Sequence, residues 1–379
     1  MSRIDTNMSD PLMASNHLTI VRWALASFVL LGHAWLLSTN YEPFKIFNWT
    51  GSFMAVNGFF ILSGLLIAKS LHMRNDLKAY TMSRALRIYP ALITVLLGFL
   101  FIFSPLFSAT PGLHHIVDPD NWRYVLRVLL LGNPENAPGG IFPTSLEADF
   151  NGPLWTIRFE LIAYILAGLA FFIGAIKSFK SSLLIFGAVQ LSYWVVTLGG
   201  DNLQLPTAVE PLLRLSSAFL MGVVLWHWPA ARRPHLWVVV SLCISFLLFG
   251  RTFLGEFTAN LALTAILLRV GLPQKPIKSI VKIPDFSYGI YIWHFPIMQS
   301  VLYFNVGLAP HKLLAVSLPI ILLVSGLSWY LIEKPALRLK SSILSLSPHL
   351  IKLKKTPVRE NSIAPEEVRN SLPDQVGGI

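Results

Sequence analysis

Two ionisable residues, Arg22 and His33, lie eleven positions apart in the otherwise apolar stretch RWALASFVLLGHA. In an α-helix, eleven residues turn about 1100° and rise about 16 Å, so both side chains share one face at different depths. A neutral imidazole is a suitable general base near pH 7, and a guanidinium binds phosphate or carboxylate groups. The pair predicts either a catalytic histidine above an anion-binding arginine, or an arginine that reaches the headgroups beside a packed histidine.

Two further arginines, Arg84 and Arg87, stand three residues apart in SRALRIYP. That spacing places both on one side of a helix, where two guanidiniums can bind the phosphates of a donor by bidentate hydrogen bonds. The alternative interpretation is that they anchor the end of a membrane span.

A carboxylate, Glu160, lies within the apolar stretch GPLWTIRFELIAY. Its depth is similar to that of His33, so it is predicted to orient the imidazole and stabilise its charged form. The alternative is a structural ion pair with Arg158.

A polar stripe runs along SYGIYIWHFPI, where Ser287, Tyr291 and His294 occupy positions i, i+4 and i+7. Tyr288 lies beside this stripe. The pattern predicts either the lining of a polar pocket or a helix pair joined by hydrogen bonds, and Tyr291 or His294 could donate a hydrogen bond to an oxyanion.

These residues require a membrane scaffold to position them. The chain of 379 residues is 54% hydrophobic and only 13% charged, about half the charged fraction of soluble domains. Apolar runs near the length of a transmembrane helix recur throughout, which predicts an all-α bundle of about ten spans. The predicted spans are 18–38, 52–71, 88–107, 153–175, 182–199, 212–228, 235–250, 254–270, 286–304 and 312–332.

Basic residues are distributed unequally between the predicted loops. With a cytoplasmic N-terminus, the inner loops hold twelve Lys and Arg residues and the outer loops hold five. This positive-inside pattern predicts that both termini are cytoplasmic. It also indicates that the basic residues behind the net charge of +11 interact with anionic lipid headgroups rather than with nucleic acid.

Three regions follow from this pattern. Residues 1–16 are predicted to be a cytoplasmic segment, 17–335 the membrane domain, and 336–379 a disordered, basic cytoplasmic tail. The single cysteine, Cys243, excludes an intrachain disulfide, and no metal site is predicted.

The predicted depths favour an enzyme that works across the bilayer. The arginines gather near the cytoplasm, whereas His33 and Glu160 lie deeper, which suits a thioester donor with a phosphate head and a thin acyl-bearing arm. A multi-pass transporter or flippase of a glycan or its lipid-linked precursor is the main alternative, and a non-catalytic assembly subunit is the third.

Five motifs in the same order make the sequence similar to the bacterial acyltransferase family 3. They are Arg22 with His33, the run FFILSGLLI at 59–67, Arg84 and Arg87 before Tyr89 and Pro90, LWTIRFE, and SYGIYIWHFP. The resemblance covers about residues 17–335. It implies an integral-membrane O-acyltransferase with His33 as the catalytic residue and with Trp155 in the pocket.

The resemblance also implies the substrates and the location. The donor would be acyl-CoA, most often acetyl-CoA, as a co-substrate with no permanently bound cofactor, and Arg22, Arg84 and Arg87 would contact it. The acceptor would be a sugar hydroxyl of an exopolysaccharide, an O-antigen or a lipid-linked glycan precursor. The protein would reside in the bacterial cytoplasmic (inner) membrane, with polysaccharide-assembly proteins as possible partners.

Overall fold

The computed structural model describes Leu12 and residues 16–147 and 149–345, and these residues are almost entirely helical. Ten apolar helices are joined by short loops, except for one long loop that contains an amphipathic helix. The apolar helices are α1 (Leu18–Thr39), α2 (Gly51–Arg74), α3 (Leu77–Phe107, with one π-helical turn at Phe99–Phe103), α5 (Trp155–Phe172), α6 (Phe179–Gly199), α7 (Val209–Trp226), α8 (Leu236–Phe249), α9 (Gly255–Gly271), α10 (Ser287–Phe304) and α11 (Pro310–Ser328). The amphipathic helix is α4 (Pro119–Leu131), and α12 (Lys334–Ser345) follows a π-helical turn at Trp329–Glu333.

The prediction of an all-α membrane protein is confirmed, since each predicted span coincides with one apolar helix. Seven of the described helices are long and apolar enough to cross a bilayer. The other three are α8 with 14 residues, α9 with 17, and α10, which is long enough but rich in polar positions. Most of α10 is buried among its neighbours, so its polar side chains meet protein rather than lipid. The number of ten spans and the side of each terminus stay predictions.

Glycines bring α2 and α7 into backbone contact. A Cβ atom at Gly64 would lie 1.9 Å from the Phe219 carbonyl oxygen, and one at Gly222 would lie 2.0 Å from that of Ile61. No other residue type fits at these two crossing points. Gly64 and Gly222 therefore permit the close packing of these two helices.

The first connection folds back towards the helix that precedes it. Asn40 adopts a left-handed conformation (φ 55°) and ends α1, as asparagine commonly does. A two-residue hairpin follows, formed by β1 (Lys45–Ile46) and β2 (Trp49–Thr50). The Thr50 hydroxyl then accepts a hydrogen bond from the Phe53 amide at 3.2 Å and starts α2. Glu42, within this connection, lies against Gly32 of α1.

The C-terminal end of the described chain is helical. Helix α12 continues to Ser345, whereas disorder was expected from residue 336 onwards. The rest of the predicted tail, 346–379, and most of the predicted N-terminal segment lie outside the described residues. The three-region division of the chain stays a prediction.

Candidate functional site

The two histidines of the predicted site meet between α1 and α10. His33 Nδ1 lies 2.8 Å from His294 Nε2, and the two rings are nearly parallel with centroids 5.1 Å apart. The Phe295 ring lies perpendicular to the His33 ring, with centroids 5.4 Å apart. The two residues are 261 positions apart in the sequence, so only the packing of α1 on α10 unites them.

The hydrogen bonds determine which nitrogen of His33 is free. His294 Nδ1 lies 2.9 Å from the Ile290 carbonyl oxygen, which can only accept a hydrogen bond. In the neutral pair, His294 Nδ1 therefore carries its proton, His294 Nε2 accepts, and His33 Nδ1 donates. This chain of bonds leaves His33 Nε2 unprotonated, which is the state that a general base requires.

His33 borders a cavity of about 240 Å³, which we call the histidine cavity. Its other lining residues are Val29, Glu42, Thr50, Ser52, Phe53, Val56, Pro153, Trp155, Arg214 and Tyr291. Trp155 and the proposed base therefore line the same cavity.

A larger cavity of about 420 Å³, the arginine cavity, contains the three predicted donor-binding arginines. Its lining includes Arg22, Ser63, Arg84, Arg87, Glu160, Tyr164, Asp285, Ser287 and Tyr288. Arg22 and His33, which are eleven residues apart on α1, therefore line two different cavities.

The two cavities adjoin each other. Val56 and Tyr291 line both of them. The Tyr291 hydroxyl lies 2.8 Å from the Thr156 hydroxyl and donates to the Pro153 carbonyl oxygen at 3.0 Å. Tyr291 thus both borders the cavities and joins α10 to α5. His294, which belongs to the same polar stripe, is not among the lining residues of either cavity.

Asp285, in the loop before α10, neutralises two of the arginines. Its Oδ2 atom lies 3.0 Å from Arg22 Nη2 and 2.9 Å from Arg87 Nη2, and Ser287 donates to Oδ1 at 2.6 Å. Burial by itself raises the pKa of Asp285, but Arg87 and Arg22 outweigh it and hold the pKa at about 2. Glu333 also lies 3.7 Å from Arg87. Arg22 and Arg87 therefore belong to a charge network built into the wall.

Arg84 differs from its two neighbours. Within residues 16–147 and 149–345 no carboxylate lies within ion-pairing distance of it, and its Nε atom has no hydrogen-bond partner. Its guanidinium packs over the Tyr164 ring at 5.6 Å. Of the three arginines, Arg84 is the one whose charge stays available to an anion in the cavity.

The prediction that Glu160 partners His33 is wrong. Glu160 accepts a hydrogen bond from the Tyr164 hydroxyl, which lies 3.0 Å from Ser63, and it faces the arginine cavity. The alternative pair with Arg158 does not form either, because Arg158 faces Glu135 at 3.6 Å. Equal depth on two helices does not bring two side chains together when the helices are not neighbours at that depth.

Sequence reasoning missed three charged residues of the site. Arg214 and Asp285 could have been identified from the sequence, since Arg214 lies inside a predicted span and Asp285 directly precedes the polar stripe. Glu42 had no such signal, because it lies in a loop whose return towards α1 depends on the tertiary structure.

Comparison with known proteins agrees with these observations. A family model described as "Acyltransferase domain" matches residues 16–333. An "O-acetyl transferase" of Shigella phage Sf6 is 29% identical over 345 residues, covering 88% of this chain and 99% of the relative. "Nodulation protein 10" of Rhizobium leguminosarum bv. viciae is 23% identical over 372 residues, covering 87% and 95%. No solved structure shows significant similarity to the chain.

Proposed function

Because the chain belongs to acyltransferase family 3, a family of multi-pass membrane enzymes, we propose that it moves an acetyl group from cytoplasmic acetyl-CoA to a sugar hydroxyl. The acceptor sugar belongs to an exopolysaccharide, an O-antigen or a lipid-linked glycan precursor. The phage relative named "O-acetyl transferase" supports acetyl as the acyl group. The positive-inside pattern supports a location in the bacterial cytoplasmic membrane with the arginine cavity towards the cytoplasm.

The arginine cavity suits the donor. Acetyl-CoA has an anionic phosphate head and a thin arm that ends in the thioester, and this cavity combines a free guanidinium with apolar walls. Arg84 binds a donor phosphate, while Arg22 and Arg87 shape the wall with Asp285. Glu160, predicted as catalytic, lies on this donor side, where its carboxylate can accept hydrogen bonds from amide groups of the arm.

The proposal rests mainly on one observation. The hydrogen bonds of His33 leave its Nε2 atom unprotonated, and His33 borders a cavity that adjoins the arginine cavity. His33 Nε2 takes the proton of the acceptor hydroxyl, and the hydroxyl oxygen attacks the thioester carbonyl. The carbon–sulfur bond then breaks, and the thiolate receives the proton from His33. His294 orients His33 and need not change its own protonation state.

Mass spectrometry of the surface polysaccharide tests this function. A strain that lacks the gene is compared with the same strain carrying the gene on a plasmid. Each glycan is weighed first untreated and then after mild alkali, which removes O-acetyl esters and should abolish any difference between the strains. We expect a loss of 42 Da per acetylated unit in the deletion strain, about the mass of one acetyl substituent, restored by the plasmid. Identical glycan masses in both strains, with labelled glycan transported by vesicles without acetyl-CoA use, would support a transporter instead.

The three arginines are expected to respond differently to substitution. Arg84→Ala should raise the KM for acetyl-CoA about 10- to 100-fold, because a charge-assisted hydrogen bond to phosphate is lost. Its melting temperature should fall less than that of Arg87→Ala, since Arg84 loses only its contact with the Tyr164 ring and has no ion pair to break within residues 16–147 and 149–345. Arg87→Ala should lower the melting temperature, because it leaves Asp285 with one cation instead of two.

Lys78→Ala is the matched control, since Lys78 is an exposed cation of the same helix outside both cavities. Steady-state kinetics with labelled acetyl-CoA and thermal melting of the purified enzyme provide both measurements. An unchanged KM in Arg84→Ala would remove this residue from the donor site.

A further inference from the structure

Glu42 packs against the helix turn that carries His33. A Cβ atom added at Gly32 would lie 2.8 Å from Glu42 Oε2, so the carboxylate occupies space that any other residue at 32 would fill. The Ser52 hydroxyl donates to the same oxygen at 2.5 Å, and Thr50 lies 3.0 Å from Ser52. Two contacts from different elements therefore hold Glu42 at the wall of the histidine cavity.

The second carboxylate oxygen of Glu42 is available to a ligand. Among the residues that the structure describes, none donates a hydrogen bond to Oε1, and no cationic side chain lies within 4 Å of the carboxylate. Glu42 is half-buried, so its lone pairs are only partly hydrated. A carboxylate in this state readily accepts hydrogen bonds from hydroxyl groups.

Other parts of the cavity wall complement a sugar ring. Arg214 is only 4% exposed, donates to Asn57 at 2.9 Å, and packs 3.8 Å above the Phe53 ring. Its Nε atom has no hydrogen-bond partner, although it lies 3.8 Å from Glu210 Oε1, within ion-pairing distance. Phe53 and Trp155 add aromatic surface, on which the C–H face of a pyranose can rest. The volume of about 240 Å³ lies below the usual range for drug-sized ligands and suits a single sugar unit.

We propose that the histidine cavity is the acceptor subsite and that Glu42 selects the hydroxyl to be acetylated. This inference rests on the proposed function. Glu42 Oε1 accepts a hydrogen bond from the hydroxyl next to the reacting one, and the sugar ring is thereby oriented with the reacting oxygen towards His33. The ligand class is a sugar ring with two vicinal hydroxyls.

Glu42 takes no part in the bonds that form and break during the transfer. The acceptor O–H bond breaks towards His33 Nε2, an oxygen–carbon bond forms at the thioester carbonyl, and the carbon–sulfur bond breaks. The proton passes from His33 to the leaving thiolate. Glu42 keeps its charge throughout, so it is a binding and positioning residue, and its loss should act on acceptor binding more than on donor binding.

Two substitutions test this role in the full-length enzyme, purified and placed in lipid nanodiscs. Glu42→Gln keeps the shape of the side chain but removes its charge, and Gly32→Ala keeps the charge but displaces the carboxylate. The donor is labelled acetyl-CoA, and the acceptor is alkali-deacetylated surface polysaccharide from the strain that carries the gene. Asp120→Asn is the control, because Asp120 is an exposed carboxylate of α4 outside both cavities.

We expect Glu42→Gln to raise the KM for the acceptor about 10- to 100-fold while the KM for acetyl-CoA stays within twofold. Gly32→Ala should change the acceptor KM in the same direction, and Asp120→Asn should change neither constant. An unchanged acceptor KM in Glu42→Gln overturns the proposal, whatever the folding of Gly32→Ala. A wild-type enzyme that transfers no label would instead contradict the proposed function itself.

Discussion

His33→Ala is expected to lower the rate of acetyl transfer by about 10²- to 10⁴-fold, because it removes the group that takes the hydroxyl proton. The substitution leaves the ion pairs of the arginine cavity untouched, so the KM for acetyl-CoA should change little. The measurement is ester content of the polysaccharide in cells together with kcat of the purified enzyme. His311→Ala, at an exposed histidine of α11, is the matched control.

Two substitutions of His294 distinguish a role of this residue in catalysis from a role in packing alone. His294→Ala removes the acceptor for His33 Nδ1 and should lower kcat more than either KM, since the imidazole loses its fixed tautomer and orientation. His294→Gln restores an acceptor oxygen and should recover part of that loss. Wild-type ester levels in His33→Ala would contradict the general-base mechanism. If both His294 variants lost the same fraction of kcat, His294 would have a purely structural role.

Asp285→Asn has the second large expected effect, and it acts on stability. The pKa of Asp285 is about 2 in the folded protein against an ordinary value of 3.8, a difference that corresponds to about 2.5 kcal/mol at neutral pH. An amide cannot carry this charge, and Arg22 and Arg87 would face each other without it. We therefore expect a lower free energy of unfolding by about 2.5 kcal/mol, measured by thermal and denaturant unfolding in detergent.

The pH dependence follows from the direction of the pKa change. Because folding lowers the pKa of Asp285, its contribution is complete above about pH 5 and is lost as the pH falls through about 2. The stability gap between wild type and Asp285→Asn should stay constant from pH 8 to about pH 5 and narrow only below about pH 4. Asp120→Asn breaks an exposed ion pair with Arg123 and should change stability by less than about 0.5 kcal/mol. If wild type and Asp285→Asn had the same free energy of unfolding near neutral pH, this result would contradict the charge network.

Several features of the site could be predicted from local sequence. The step from Arg22 to His33 places both on one helix face, and the structure confirms this, since Arg22 contacts the loop before α10 and His33 contacts α10 itself. The polar stripe of Ser287, Tyr291 and His294 is likewise a consequence of helical periodicity. The apolar runs predicted all ten helix positions for the same reason: they depend on neighbours in the chain.

The contacts between helices could not be predicted in this way. Glu160 matched the depth of His33, yet it faces the arginine cavity. His294 instead of Glu160 is the hydrogen-bond partner of His33. Arg84 and Arg87 have the same residue type and lie three positions apart, but only Arg87 meets Asp285. Such differences arise from the rotation of each helix about its own axis and from the neighbour that it meets.

The stretch RWALASFVLLGHA thus by itself determined a membrane helix with an arginine and a histidine on one face, because helical geometry depends only on residue spacing. Only the tertiary structure decided that His33 donates to His294, that Arg22 is neutralised by Asp285, and that Glu42 returns to Gly32 beside the histidine. Each of these partners comes from another part of the chain. Their positions depend on how helices and loops pack, and a buried polar group is satisfied by whichever partner that packing brings within hydrogen-bond distance.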